Sequence, residues 1–175
     1  TSLFPMTELS VMGLAEILPR APRLLGRLRQ THDAALAARP DVLVTIDSPG
    51  FGFRLAKRLK RSGLPLVHYV APTVWAWRPG RAKRIAGFLD HLLALLPFEP
   101  PYFERHGLAC SFVGHPVVEG GAGRGDGVRF RARHGLGEAP LLALLPGSRS
   151  MEVERHLPIF ETTLVRLRRQ RPGLV

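Results

Sequence analysis

Asp47 is the first residue whose type and position suggest chemistry. It follows an apolar, β-branched run and precedes Ser48 and Pro49. Such a position partly removes water from a carboxylate, which suits it to act as a general base. The alternative is that Asp47 only caps its own turn through a side-chain hydrogen bond to the backbone. The sequence leaves both interpretations open.

A second candidate site is the segment Pro146-Gly147-Ser148-Arg149, which stands between an apolar run and a helical pattern. The start of a helix offers free backbone N–H groups and the positive end of the helix dipole. Gly147 lets the backbone approach an anion, Ser148 adds a hydroxyl, and Arg149 adds a bidentate guanidinium. The combination suits a pyrophosphate, although a plain helix cap is the alternative.

Two further loops carry polar or aromatic side chains that could touch a ligand. His115 lies between a glycine and a proline and could donate a hydrogen bond to a substrate oxygen, or be a packed loop histidine. Trp75 and Trp77 precede several arginine and lysine residues, so their indoles could stack on bases or pack onto a sheet.

No second histidine or carboxylate stands at metal-ligand spacing, so we predict no metal site. We also predict no cofactor.

Composition narrows the class of protein. Lys+Arg is 25 and Asp+Glu is 14, a formal charge of +11, which reflects either codon bias toward arginine or an anionic partner. Hydrophobic residues make up 45%, which excludes disorder over most of the chain. The single cysteine, Cys110, excludes an intramolecular disulfide and predicts a buried thiol. No apolar run approaches the ~20 residues that a membrane span needs.

The N-terminal segment combines apolar residues at helical spacing with arginines that follow. This pattern is typical of an interfacial membrane contact, and ordinary core packing is the alternative. Pro19 and Pro22 predict the end of this first helix, with a second helix over 23–38. The apolar residues of the segment are Val11, Met12, Leu14, Ile17 and Leu18.

Strands and helices alternate along the chain, which predicts an α/β fold with a parallel sheet. Ligands bind beyond the carboxyl ends of such strands, where Asp47, Trp75 and His115 stand. We interpret residues 1–118 as one domain, the glycine-rich 119–127 as a linker, and 128–175 as the start of a second domain. The predicted strands are 41–46, 66–70, 92–96, 111–113 and 141–145, and the predicted helices 53–61, 79–87, 100–106, 128–134 and 151–169.

Several motifs taken together resemble the lipid-A-disaccharide synthases, a family of bacterial glycosyltransferases. The string from His68 to Arg78, with its two tryptophans, is the most specific of them. The resemblance covers nearly the whole chain, which corresponds to about half of a family member. The motifs, in order, are Ser10–Leu18, Ile46–Pro49, His68–Arg78, Leu96–Glu99, Phe112–Pro116 and Leu144–Arg149.

The resemblance implies the GT-B architecture, in which two Rossmann-like domains face each other across a cleft. It implies an inverting, metal-independent transfer that joins UDP-2,3-diacylglucosamine to 2,3-diacylglucosamine 1-phosphate and gives lipid A disaccharide 1-phosphate and UDP. It also implies a cytoplasmic enzyme that is peripheral on the inner membrane. The resemblance implies no binding of nucleic acid, and it is compatible with either a monomer or an oligomer. Because the first strand and most of the second domain are missing, we expect this chain alone to be inactive.

By position, Asp47 matches the family's base for the acceptor 6-hydroxyl, and 147–149 matches the segment at the UDP pyrophosphate. Ser48, Trp75 and His115 are expected to contact substrate, and the segment from Ser10 onward to meet the membrane or acyl chains. Gly50-Phe51-Gly52 stands where the family usually has an acid followed by Phe-Asn, so acceptor contacts differ here. The alternative function is an α/β protein that binds nucleotide or nucleic acid without transferring sugar.

Overall fold

The centre of the fold is a sheet of four strands in the order β1-β2-β3-β4, and every neighbouring pair runs parallel. The computed structural model describes residues 2–9 and 14–175. The predicted α/β class with a parallel sheet is confirmed. The strands are β1 (Leu43–Ile46), β2 (Leu66–Tyr69), β3 (His91–Ala94) and β4 (Ala109–Phe112).

Helices connect the strands and pack on one face of the sheet. Parallel strands that follow one another in sequence need right-handed crossovers, which place successive helices on the same side. Helix α2 contacts β1 and β2, α4 contacts β4, and α1 packs on α2. These helices are α1 (Leu14–Ala38), α2 (Pro49–Leu59), α3 (Gly80–Ala86) and α4 (Pro101–Glu104).

The core lies between this helical layer and the inward face of the strands. Leu66 and Leu92 from the sheet and Leu59 and Phe103 from the helices are all buried. The opposite face is open within the described residues, since Val44 is 47% and Ile46 66% exposed. Alternate residues of β1 therefore point into the core and toward solvent, although parallel strands usually bury both faces.

Helix α1 does not end at its prolines, so the prediction of two separate N-terminal helices is wrong. Pro19 and Pro22 lie inside one continuous helix. Each proline removes one backbone donor, but contacts further along hold the helix in place. Arg23 and Arg27 form ion pairs with Glu8 at 2.9 and 2.8 Å. Leu28 is buried in the core.

The chain divides into two compact units, Thr1–Gly120 and Gly121–Val175. The second unit contains α5 (Gly127–His134) and α6 (Ser150–Gln170), close to the predicted helices. The strand predicted at 141–145 is wrong: no strand occurs in the described residues of this unit. A parallel strand needs a neighbour for its backbone groups, and Leu142 N instead donates to Val175 O at 2.9 Å.

None of the helices in the described part of the chain combines the length and apolar character that crossing a bilayer requires. Cys110 is buried, as expected, and burial raises the pKa of its thiol to about 11, so the thiolate is disfavoured.

We predict that Leu92→Ala lowers the free energy of unfolding by about 2–5 kcal/mol, because it leaves a cavity at the centre of the sheet. Leu92 is fully buried, whereas Leu36 in α1 is 43% exposed. Leu36→Ala is the matched control and is expected to change stability by less than about 1 kcal/mol. Urea unfolding of both variants measures the difference, and equal losses would contradict this assignment of the core.

Candidate functional site

The carboxyl ends of β1 to β4 lie at one edge of the sheet because all four strands run in the same direction. Asp47 and Ser48 follow β1, Trp75 lies in the loop after β2, and His115 follows β4. The fold thus brings Asp47, Ser48, Trp75 and His115 to one edge of the sheet. This is the edge at which open parallel sheets bind ligands.

Asp47 and Ser48 form a left-handed turn between β1 and α2. Their φ angles are 48° and 43°, a region that residues with a Cβ rarely occupy. The Asp47 N–H still donates to Tyr69 O of β2 at 3.0 Å, so the turn begins directly at the end of the ladder. The Ser48 carbonyl accepts from Phe51 N and Gly52 N, which starts α2. Strained backbone of this kind persists where neighbouring structure holds it and is common at functional sites.

The Asp47 side chain is exposed, so the expectation that its position partly removes water from the carboxylate is wrong. It accepts no hydrogen bond from any described residue. The alternative in which Asp47 caps its own turn is therefore not what the structure has. Beside it lies a cavity of about 250 Å3 with a mostly apolar lining. Its lining includes Leu3, Phe4, Leu9, Ile46, Asp47, Ser48, Phe51 and Leu55.

The tryptophan loop is held by a buried carboxylate, Glu99, which belongs to the motif Leu96–Glu99 but was not predicted as a site residue. Glu99 is only 2% exposed, and its Oε1 accepts from Trp75 Nε1 at 3.4 Å. Its Oε2 accepts from Leu96 N at 3.0 Å, and the Trp75 ring meets Phe98 edge-on at 5.3 Å. Trp75 therefore packs against the following loop. Glu99 closes the motif Leu96–Glu99, but nothing in the sequence indicates that its carboxylate is buried or that it contacts Trp75.

Trp77 differs from Trp75 because its ring is more exposed, at 58%. The Arg78 guanidinium lies over this ring, 4.1 Å from its centre. The pair is a cation–π contact on the surface. It leaves an indole and a cation available beside the same edge of the sheet.

His115 has one ring nitrogen engaged and one remaining. Its Nδ1 accepts a hydrogen bond from Val117 N at 3.1 Å. Because a backbone N–H can only donate, Nδ1 is unprotonated, and the neutral ring carries its proton on Nε2. His115 is exposed, so the Nε2–H is a donor that a ligand oxygen could use. His115 is therefore not a packed loop histidine, and its contact with a ligand stays a prediction.

The predicted membrane segment falls largely outside the described residues. Val11 and Met12 lie there, and for Leu14 and Ile17 only the backbone of α1 is described. Leu18 is 68% exposed. The membrane contact of these residues remains a prediction.

In the second unit, the predicted anion site is occupied by an acidic side chain of the chain itself. The Glu152 carboxylate accepts from Ser148 N at 3.1 Å and from Arg149 Nη1 at 2.7 Å. Gly147 has a φ of 125°, and an added Cβ would lie 2.6 Å from the Glu152 Cβ. Only glycine fits this approach. The groups predicted to bind an anion therefore bind one already, supplied from the first turn of α6.

Comparison with known proteins gives a consistent result. A family model described as Lipid-A-disaccharide synthetase matches residues 1–175. The lipid-A-disaccharide synthase of Rhodospirillum centenum is 62% identical over 176 residues, covering 99% of this chain and 44% of the relative. That of Ruegeria pomeroyi is 54% identical, covering 99% and 44%, and that of Myxococcus xanthus 46%, covering 98% and 45%. The chain thus spans less than half the length of these relatives.

We predict that Arg149→Gln raises the pKa of Glu152. The hydrogen bond from Arg149 is the largest influence that holds this pKa below its usual value of 4.5, and the Ser148 N–H acts in the same direction. An NMR titration of the Glu152 carboxyl carbon measures the change. Arg168→Gln, near the other end of α6, is the control and leaves the titration in place. An unchanged Glu152 pKa in Arg149→Gln would rule out the ion pair in solution.

Proposed function

The chain belongs to the lipid-A-disaccharide synthetase family, and from this premise we propose that the full-length protein forms the lipid A disaccharide. It joins UDP-2,3-diacylglucosamine to 2,3-diacylglucosamine 1-phosphate. The acceptor 6-hydroxyl oxygen attacks the anomeric carbon of the donor and loses its proton to Asp47. The bond from that carbon to the diphosphate oxygen breaks, UDP leaves, and the anomeric centre is inverted.

The state of Asp47 is the observation that carries this proposal. Its carboxylate is exposed at the end of β1 and makes no hydrogen bond to any described residue. A general base must be free to accept a proton from a substrate hydroxyl within hydrogen-bonding distance. Asp47 meets that requirement. Ser48, Trp75 and His115 lie at the same edge, and we assign them to substrate contacts.

The leaving group fits the turn before α6. A diphosphate that departs from the anomeric carbon develops negative charge, which a guanidinium and backbone N–H groups stabilise. Arg149 and Ser148 N already hold a carboxylate in this arrangement. We propose that the diphosphate of the donor displaces Glu152 from these groups, with Gly147 allowing the close approach.

The acyl chains of the substrates need an apolar surface near the reacting groups. The cavity beside Asp47 supplies one, since Leu3, Phe4, Phe51 and Leu55 line it. We propose that it receives part of an acyl chain while the enzyme rests on the inner membrane. The predicted membrane contact of the N-terminal segment, together with the exposed Arg20 and Arg29 of α1, would then involve the anionic lipid surface.

We predict that Asp47→Ala in the full-length protein lowers disaccharide formation by at least about a hundredfold, because general-base catalysis contributes roughly that much or more. Binding of UDP should remain unchanged, since Asp47 is not assigned to the nucleotide. Turnover is followed with both lipid substrates, and UDP affinity by calorimetry.

Asp41→Asn is the matched control for Asp47. Asp41 is an exposed carboxylate just before the amino end of β1, at the opposite edge of the sheet. Its loss should leave turnover intact. Near-normal turnover in Asp47→Ala would remove Asp47 from the mechanism, whereas equal losses in both variants would point to a general effect of charge.

We predict that Arg149→Ala in the full-length protein weakens UDP binding by roughly tenfold to a hundredfold, because a hydrogen bond from a charged group contributes about 1.5–3 kcal/mol. Arg129→Ala, in α5 of the same unit, is the control and should bind UDP normally. Equal affinities of Arg149→Ala and the unaltered protein would refute the assignment of the diphosphate to this turn.

A further inference from the structure

His68 is a buried histidine to which the mechanism above gives no role. It lies on β2 with its side chain fully buried, directly opposite Thr45 of β1 in the parallel register. The Thr45 Oγ1 and the His68 Nδ1 are 2.7 Å apart. Thr45 is two residues before Asp47, so this cross-strand pair lies at the base of the strained turn.

The hydrogen bonds around Thr45 fix where the imidazole carries its proton. The Thr45 hydroxyl also donates to Val67 O at 3.3 Å. A hydroxyl has a single proton, so the arrangement that satisfies both contacts has His68 Nδ1–H donating to Thr45 Oγ1. Nε2 is then unprotonated, and it has no hydrogen-bond partner among the described residues.

Burial keeps the ring uncharged. It lowers the pKa of His68 to about 4, against weaker opposing effects of the Asp47 carboxylate and the Val70 backbone. The imidazole is therefore neutral near pH 7.

The pair also supports the turn mechanically. A Cβ added at Gly52 would lie 3.3 Å from the Thr45 Cβ, 3.5 Å from the Asp47 carbonyl oxygen and 3.6 Å from the His68 Cε1. The first turn of α2 is thus packed closely against both the imidazole and the Asp47 backbone. The Phe53 ring also packs against the imidazole, with the two ring centres 4.5 Å apart.

We propose that His68 is a positioning residue for the reaction assigned to Asp47: through its hydrogen bond to Thr45 it fixes the end of β1, and thereby the left-handed turn that presents the Asp47 carboxylate. This inference rests on the proposed function of Asp47. It predicts that disturbing the pair changes the rate of the chemical step more than it changes substrate binding. Misplacing a reacting group by as little as about 1 Å can lower a rate a hundredfold.

The test compares variants of the full-length protein. Thr45→Val keeps the shape of the side chain but removes the hydroxyl, and it should lower kcat by roughly tenfold to a hundredfold with KM for both lipids within about twofold. Thr45→Ser restores the hydroxyl and should recover most of the lost turnover. His68→Asn, whose amide can replace Nδ1 as the partner of Thr45, should retain more turnover than His68→Ala.

Ser111→Ala is a matched control. Ser111 Oγ and His91 Nε2 form a similar cross-strand pair, 3.0 Å apart, between β3 and β4 on the exposed face of the sheet. The Ser111→Ala substitution removes a hydroxyl–imidazole contact between β3 and β4, whereas Asp47 follows β1 at the other side of the sheet. It should therefore leave kcat unchanged. Melting temperatures of all variants show whether each one is folded.

A kcat within about twofold of normal in folded Thr45→Val would overturn the proposal, as would a loss expressed wholly in KM. Nitrogen chemical shifts of His68 provide a readout that is independent of activity. We expect Nδ1 to be protonated and Nε2 to be unprotonated, and a proton on Nε2 instead of Nδ1 would refute the assignment. If Asp47→Ala loses turnover while Thr45→Val keeps a normal kcat, only the role of His68 is disproved. An active Asp47→Ala disproves the proposed function itself.

Discussion

The parallel direction of the four strands is the constraint on which the rest of this structure depends. Because strands that are neighbours in the sheet are also consecutive in sequence, each connection between them crosses the same face of the sheet. All four strands therefore end at the same edge. The core between sheet and helices and the ligand edge are thus consequences of one arrangement. Asp47, the tryptophan loop and His115 are far apart in sequence but share that edge for this reason.

Three of the five described non-glycine residues with a positive φ angle directly follow a strand. Asp47, Ser48 and Val70 all have positive φ angles, and they directly follow β1 and β2. Such conformations cost about 1–3 kcal/mol each and need surrounding structure to hold them. The buried Thr45–His68 pair and the close approach of Gly52 provide that support beneath Asp47. The strain and the proposed catalytic group therefore depend on the same packing.

The second unit shows how a binding turn can be occupied by its own chain. Glu152 uses the Ser148 N–H and the Arg149 guanidinium that the sequence assigns to a diphosphate. The internal carboxylate keeps these donors paired. In the proposed function, donor binding would therefore be an exchange of anions at preformed donors.

The sequence by itself determined the alternation of strands and helices and the loops that hold Asp47, His115 and Arg149, since periodicity and turn residues are local properties. Only the tertiary structure decided the rest. Helix α1 continues through Pro19 and Pro22 because distant contacts stabilise it. The apolar run 141–145 is not a strand because its backbone pairs only with Val175, and no neighbouring strand of this unit continues that pairing in the described residues. The roles of His68 and Glu99 came from burial, which depends on which segments the folded chain brings together.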